Sequence, residues 1–389
     1  MRETMLPFAP PSVGQDEIDE VVETLRSNWL TTGPKTRRFE HEMAARLGAP
    51  AALAVSSGTA ALQVALAVHG VGPGDEIITT TMTFCATVHA IEQSGATPVL
   101  VDVDPDTLNI DPAAVERAIT PKTRGVLPVH LYGHPADMDA LESVAAARHL
   151  FILEDAAHAL PASYRGRTIG SGGSIAAFSF YATKNLTTGE GGMLVGAPDF
   201  IEAARGWTLH GMTRDAHASL GAKDSWRYDV VSPGFKCNMM DLQAAIGLAQ
   251  LRKLAAFHAR RRQIAGMYRA ALTGVAEIQC PVEHAHVESA WHLYPIRLDL
   301  DRLAIDRAQF IEELRWRNIS ASVHFIPVHT YRYYREKYGY RSGDFPAAWR
   351  ESQRLVSLPL YPTMTDQDVA DVVDAVRDVC SRRGLGTGG

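Results

Sequence analysis

Cysteine is scarce in this 389-residue sequence: Cys85, Cys237, Cys280 and Cys380 lie far apart, with no CxxC pair and no tight His/Cys spacing. That spacing excludes a disulfide framework and a structural zinc site, and it fits a chain made for a reducing cytoplasm. Charge of one sign is lacking too. With 38 basic and 44 acidic residues the net charge is −6, which excludes a nucleic-acid binder built on gross positive charge. The opening MRETMLPFAPP carries Glu3 and three prolines where a secretory leader needs an apolar run, so no export signal is expected. One uncharged stretch, Ala49 to Val68, has the length of a membrane span. Ser56-Ser57-Gly58-Thr59 breaks it into a short apolar strand and an Ala/Leu-rich helix, so no membrane span is expected.

What is present is an ordinary globular composition, 46% hydrophobic and 21% charged, long enough for two or three domains with a sizeable core. Helical apolar spacing covers Gln15 to Arg26 and Thr36 to Leu47, joined by NWLTTGPK. From Ala51 strands and helices alternate. AALAV is followed by a helix from Thr59, EIITT by Ala86 to Ser94, TPVLVDV by Pro112 to Ile119, and GVLPVHL by Met138 to Arg148; LFILED comes last. That order predicts a mostly parallel sheet with helices on its faces, whose ligands gather at the carboxyl ends of the strands. AAFSF and GGMLVG read as further strands around YATKNLTTGEG. A long helix is predicted over about 241–272. Beyond it come a strand in HLYPIRLDL, a helix at Arg307 to Trp316 and a closing helix at Asp366 to Val379, with GLGTGG as a frayed tail. The expected division is 1–252 for a large domain with the N-terminal segment and 253–389 for a small one.

Three features could carry chemistry. The turn Ser56-Ser57-Gly58-Thr59 sits between a strand and a helix, where free N–H groups and the helix dipole suit a phosphate; a merely capped helix is the plain alternative. Asp155 ends the strand LFILED, and a buried acid there needs a cationic partner, which a protonated heterocycle or a structural arginine would provide. His158 follows three residues later, and a lone histidine is more often structural. Lys184 lies in a turn crowded with small polar residues, where a lysine of lowered pKa can form a Schiff base, although surface lysines far outnumber such residues. The combination matters more than its parts, because pyridoxal phosphate needs one group for its phosphate, one for its ring nitrogen and one for its aldehyde.

The motifs SSGTAAL, TMTFCATVHA, EDAAHA, FSFYATKNLTTGEGG and GFKCNMMDLQAAIGLAQL, in this order, resemble the DegT/StrS family of pyridoxal-phosphate-dependent nucleotide-sugar aminotransferases. The resemblance runs from NWLTTGPK to SLPLYPTMT. It implies an α/β chain of the aspartate aminotransferase-like fold type I, with a large domain holding a mostly parallel mixed sheet flanked by helices and a smaller C-terminal α/β domain. It also implies a homodimer with sites at the subunit interface and pyridoxal 5'-phosphate as cofactor. Residue by residue, Lys184 would bind the aldehyde and shuttle the proton, Asp155 pair with the ring nitrogen, and His158 lie near the phenolic oxygen. Ser57, Gly58, Thr59 and Ser179 would hold the phosphate, and Phe84 stack on the ring. Many members carry Asn-x-Arg where this chain has Lys236-Cys237-Asn238. Asn238 is favoured over Lys236 for the contact to the partner's phosphate, because its amide donates without adding a charge.

Thr32, Lys35, His324 and His329 are the substrate candidates, with Tyr331 to Arg335 as an aromatic and basic stretch suited to a diphosphate and base. Glu190 is expected to satisfy backbone or arginine groups. The function so implied is amino transfer from an amino acid, L-glutamate above others, to carbon 4 of a dTDP- or UDP-4-keto-6-deoxyhexose, in glycan or antibiotic glycoside biosynthesis. A 3-keto sugar acceptor and a pyridoxal-phosphate-binding regulator are the alternatives; the dehydratases of this fold carry histidine where Lys184 stands. No nucleic-acid or membrane partner is expected.

Overall fold

The computed structural model describes residues 2–213 and 228–385. Two helices open the chain, α1 (Gln15–Ser27) and α2 (Pro34–Leu47). Strands and helices then alternate as β1 (Ala51–Val55), α3 (Gly58–Val68), β2 (Glu76–Thr80), α4 (Cys85–Gln93), β3 (Thr97–Val101), α5 (Pro112–Ala118), β4 (Thr123–Leu127), α6 (Met138–Arg148) and β5 (Phe151–Asp155). Two short strands, β6 (Ser163–Tyr164) and β7 (Arg167–Thr168), precede β8 (Ile175–Ser179), β9 (Gly192–Gly196) and α7 (Pro198–Trp207). The main sheet has the order β1-β9-β8-β5-β4-β2-β3. Strands β3, β2, β4, β5 and β8 pair in parallel, while β9 runs against both of its neighbours, β8 and β1. Two reversals restore the direction, so β1 points the same way as β8. The carboxyl ends of β1, β2, β5 and β8 therefore open on one edge of the sheet, the edge that ligands of such sheets use.

The uncharged stretch resolves as β1 plus α3. Ser57 caps α3 by accepting from the Ala60 N–H at 3.0 Å, and Ala60, Ala61, Leu62, Val64, Ala65 and Leu66 are buried in a core of their own with Leu53 and Val55. No helix among the described residues is long and apolar enough to cross a membrane. The strand predicted through GVLPVHL stops at Leu127, since Pro128 has no N–H to continue the ladder. The backbone is still carried past that break, with the Asp155 N–H donating to Pro128 O at 2.8 Å and the His130 N–H donating to Asp155 O at 3.1 Å.

The long helix is α8 (Asp241–Leu272). Its first residue also organises α2: the Asp241 carboxylate accepts from the backbone N–H groups of Gly33, Lys35 and Thr36 and from the Thr36 hydroxyl at 2.6 Å. An anion at these free N–H groups complements the helix dipole. Strands β10 (Ile278–Gln279), β11 (Val287–Glu288) and β12 (Tyr294–Leu298) follow, then α9 (Arg307–Trp316), α10 (Arg332–Tyr338), α11 (Pro346–Ser352), β13 (Leu355–Leu358) and α12 (Asp366–Arg383). A three-stranded antiparallel sheet, β10-β12-β13, packs with α8, α9 and α12 around Tyr268, Tyr294, Phe310, Leu314 and Val376. The chain's start joins this second core. Leu6 is buried in it and pairs with Ile319, its N–H donating to Asn318 O at 2.8 Å. The closing helix runs four residues past Val379, to Arg383, and Gly384 pairs with Leu303; of the tail expected to fray, residues 386–389 lie outside the described residues.

Candidate active site

A cavity of about 520 Å³ opens at the shared strand edge, and the loops that follow β1, β2, β5 and β8 each give it a wall. Ser57, Gly58 and Thr59 come from the β1–α3 turn, and Phe84 from the β2–α4 loop. Asp155 and His158 come from the end of β5, and Ser179 and Lys184 from the end of β8. Residues up to 127 positions apart meet because parallel strands deliver their ends to one edge.

The floor of the β1–α3 turn is built for close backbone approach. A Cβ on Gly58 would lie 2.9 Å from Ser179 Cβ, and one on Gly192 of β9 would lie 2.4 Å from the Ser57 carbonyl carbon. With Ala60 and Ala61 N–H groups donating to Ser57 side chain and carbonyl, the N–H groups of Gly58 and Thr59 have no partner among the described residues. Free N–H groups at a helix N-terminus suit a phosphate.

Asp155 is 6% exposed and held at both oxygens. Thr87 Oγ1 donates to Oδ2 at 2.7 Å and the Ala157 N–H donates to Oδ1 at 3.1 Å. Burial pushes its carboxyl above the usual range, and the Thr87 and Ala157 donors and the Lys184 charge work against that rise. Its neighbour Glu154 points to the opposite face of β5 and accepts from His130 Nε2 at 2.8 Å. Lys184 sits in the turn after β8, its N–H donating to Tyr181 O at 2.9 Å, and desolvation lowers its ammonium from 10.5 to about 8 although Asp155 favours the charge.

Two histidines of the cavity, His158 and His292, have defined tautomers. His158 Nδ1 accepts from the Tyr132 N–H at 3.2 Å, so the neutral ring carries its proton on Nε2. Tyr132 is buried with φ +61, a costly conformation for a bulky side chain, and its hydroxyl donates to His324 O from the small domain. Asn185 spends its amide protons on Leu160 O at 2.9 Å and Ala290 O at 2.8 Å. Its Oδ1 therefore accepts from His292 Nδ1 at 3.1 Å. Burial drives His158 and His292 well below 6.5 and His324 to about 4, each lowered further by Lys184, so all three are neutral near pH 7.

His324 lines the cavity; His329 does not. The His329 ring is fully buried between Thr81 Oγ1, 2.6 Å from Nδ1, and Ser342 O, 3.2 Å from Nε2, which makes it a packing residue rather than a substrate contact. Lys35 is likewise turned away, its ammonium bound to Glu20 at 2.7 Å and Glu23 at 3.3 Å of α1. Thr32 donates to Met239 O at 2.5 Å and accepts from Asn238 Nδ2 at 2.6 Å, and Lys236 Nζ reaches Asn238 Oδ1. Thr32 and Asn238 line a different cavity of this chain, beside Arg205 and Leu209. The Tyr331 to Arg335 stretch forms the start of α10, where Arg332 pairs with Glu336, away from the main cavity. Glu190 lines the main cavity, and its backbone carbonyl accepts from Gln243 and Thr188. Thr83, Thr87, Tyr181, His292 and Phe325 also line it and were not singled out in the sequence, although Thr83, Thr87 and Tyr181 stand inside the family motifs and His292 opens the strand segment HLYPIRLDL.

A lysine of lowered pKa, a buried carboxylate and a phosphate-ready turn, all on one cavity, define an enzyme of the pyridoxal-phosphate class. Residues 11–377 match the model of the DegT/DnrJ/EryC1/StrS aminotransferase family, and the chain belongs to that family. It is 49% identical over 380 residues to the spore coat polysaccharide biosynthesis protein SpsC of Bacillus subtilis, covering 97% of this chain and 98% of that one. Among solved structures, Spr1654 of Streptococcus pneumoniae, described as a sugar aminotransferase in its PMP form, is 35% identical with a TM-score of 0.92, over 97% of this chain and 99% of that chain. PseC of Helicobacter pylori, an aminotransferase of pseudoaminic acid biosynthesis, is 26% identical with a TM-score of 0.90, over 97% and 100%. The protein is a sugar aminotransferase of fold type I that uses pyridoxal phosphate.

Proposed function

We propose that the enzyme moves an amino group from L-glutamate to carbon 4 of a nucleotide-linked 4-keto-6-deoxyhexose, and that it works in the cytoplasm as a homodimer. The observation that carries amino transfer is the meeting of Lys184, Asp155 and the Ser57-Gly58-Thr59 turn on one cavity. The sugar acceptor is supported by the likeness to SpsC and PseC, whose names place them in polysaccharide and pseudoaminic acid biosynthesis. Pyridoxal phosphate, when bound, supplies an aldehyde that carries the amino group and a ring nitrogen that draws electrons from the carbon being deprotonated.

The residues have distinct tasks. Gly58 and Thr59 N–H groups, with Ser57 and Ser179, hold the phosphate. Asp155 keeps the ring nitrogen protonated, because only an anion at that position stabilises its charge. His158 donates from Nε2, the nitrogen left protonated by the Tyr132 bond, to the phenolic oxygen. Lys184, neutral in an appreciable fraction near pH 7, takes the proton from the donor's α-carbon and returns it to the carbon that receives the amine. Phe84, 58% exposed and lining the cavity, covers one face of the ring in this reading. Exposed Phe84 and Tyr181 at the rim of this cavity support a second copy covering it, with Asn238 reaching the partner's phosphate. Incubating the protein with glutamate and a panel of dTDP- and UDP-linked 3-keto and 4-keto sugars tests this reading by product mass and NMR. An aminated 4-position is expected; amination at carbon 3 would move the acceptor, and no amination of any sugar would end the proposal.

A further inference from the structure

The approach to α4 carries a pair of hydroxyls whose direction can be assigned. Thr87 lies in the first turn of α4 and Thr83 in the loop just before its N-cap Phe84, each 1% exposed. Thr83 Oγ1 lies 2.7 Å from Thr87 Oγ1, and Thr87 Oγ1 lies 2.7 Å from Asp155 Oδ2. An ionised carboxylate only accepts, so the Thr87 proton points at Asp155. Thr87 has spent its one proton there, so its oxygen receives the proton of Thr83. The chain therefore runs Thr83 to Thr87 to Asp155, and each bond polarises the next. The Ala157 N–H fixes the other oxygen at 3.1 Å, which sets the plane of the carboxylate.

We propose that Thr87, reinforced by Thr83, is a positioning residue that holds Asp155 ionised and aimed at the ring nitrogen of the cofactor. Without the relay burial would favour the neutral form of Asp155 more strongly, with the Ala157 N–H and the Lys184 charge left to oppose it. A neutral Asp155 cannot stabilise a positive charge on the ring. The same helix start also carries Phe84, so one element sets both the anion under the nitrogen and the ring at the rim.

The inference rests on the cofactor placement proposed above, and the test separates the two. The full-length chain, freed of cofactor and reconstituted, is titrated with pyridoxal 5'-phosphate and with its 1-deaza analogue, in which CH replaces the ring nitrogen. The wild type should prefer the nitrogen-bearing cofactor; if it shows no preference, the placement over Asp155 is itself wrong. Thr87→Val, close in shape but without a proton to donate, should shrink that preference by roughly tenfold or more, the scale of one charge-assisted hydrogen bond, while affinity for the deaza analogue stays near the wild-type value. Thr87→Ser should restore the preference. Equal losses for both cofactors in Thr87→Val, or an undiminished preference, would overturn the inference. Thr83→Ala leaves Thr87 in place and should give a smaller loss of the same sign, so the relay remains testable if Thr87→Val does not fold; an unchanged preference there would remove Thr83 from it.

Discussion

Replacing Asp155 by asparagine should have two effects of opposite sign. Desolvation places the Lys184 ammonium at about 8 instead of 10.5, and the Asp155 charge works against that fall. At pH 7 a lysine titrating at about 8 is neutral in about a tenth of molecules, against about 0.03% for an ordinary lysine, so the wild-type amine is roughly 300 times more available as a nucleophile. Asp155→Asn removes the supporting anion, so the midpoint must fall below about 8. A fall of one unit would by itself raise the neutral fraction at pH 7 from about a tenth to about a half. The variant lysine should capture aldehydes faster. Turnover should move the other way, by ~10⁴-fold, the scale seen when an Asp to Asn change misdirects a catalytic hydrogen bond.

The assay uses the cofactor-free chain and a small uncharged aldehyde that makes no contact with Asp155. Capture at Lys184 is trapped with borohydride and followed by peptide mass from pH 6 to pH 10. The wild-type curve should rise with pH around a midpoint near 8, and the Asp155→Asn curve should be displaced to lower pH. A wild-type midpoint near 10.5 would refute the desolvation argument. A midpoint unchanged or raised in the variant would refute the electrostatic coupling between the two residues, whatever happens to turnover.

Lys184→Ala should abolish amino transfer and covalent retention of the cofactor while leaving the thermal melt of the cofactor-free chain near that of the wild type; borohydride fixation to a different lysine in the wild type would reassign the role. Gly192→Ala should push the Ser57–Gly58 backbone out of place, because the new Cβ would meet it at 2.4 to 2.6 Å, and cofactor affinity read by equilibrium dialysis should fall about tenfold or more. Acid should weaken the fold before carboxylates protonate. His69 and His134 titrate at about 4 when folded and near 6.5 when unfolded, so the unfolded chain binds more protons in that window and stability drops as pH falls through it. His69→Phe keeps the ring stacked 3.8 Å from Phe151, removes a buried Nε2 without a partner among the described residues, and should raise stability at pH 5 more than at pH 7, by about 1 kcal/mol or more in urea melts.

Much of the fold was legible because its signals are local. The apolar spacing of α8 and α9 and the alternation from Ala51 to Asp155 are written in consecutive residues, and the boundaries of α6, α8 and α9 agree with the structure. Where the reading strayed, a single atom decided the matter. Pro128 ended β4 early for want of an N–H, and Asp241, more than 200 positions away, fixed the N-terminus of α2. The pairing of Leu6 with the small domain was not legible either, since it joins residues more than 300 positions apart.

The site divides along the same line. Lys184, Asp155 and the Ser57 turn were expected to meet, and do, because each lies at or shortly after the end of a strand, and in such a sheet strand ends are an address: sequence position alone predicts that such residues share an edge. His329 and Lys35 were chosen by residue type near a motif, and type does not say which way a side chain turns. His329 went to the Thr81 hydroxyl and Lys35 to the acids of α1, each to a partner within its own packing. Thr87 and His292 escaped notice for the converse reason. A threonine in a helix and a histidine before a strand carry no signal of their own, and the direction of their protons is set only by the Asp155 carboxylate and the Asn185 side-chain oxygen. Groups that bear charge or form bonds can thus be nominated from sequence by address, whereas groups that aim them become visible only when donors and acceptors are assigned atom by atom.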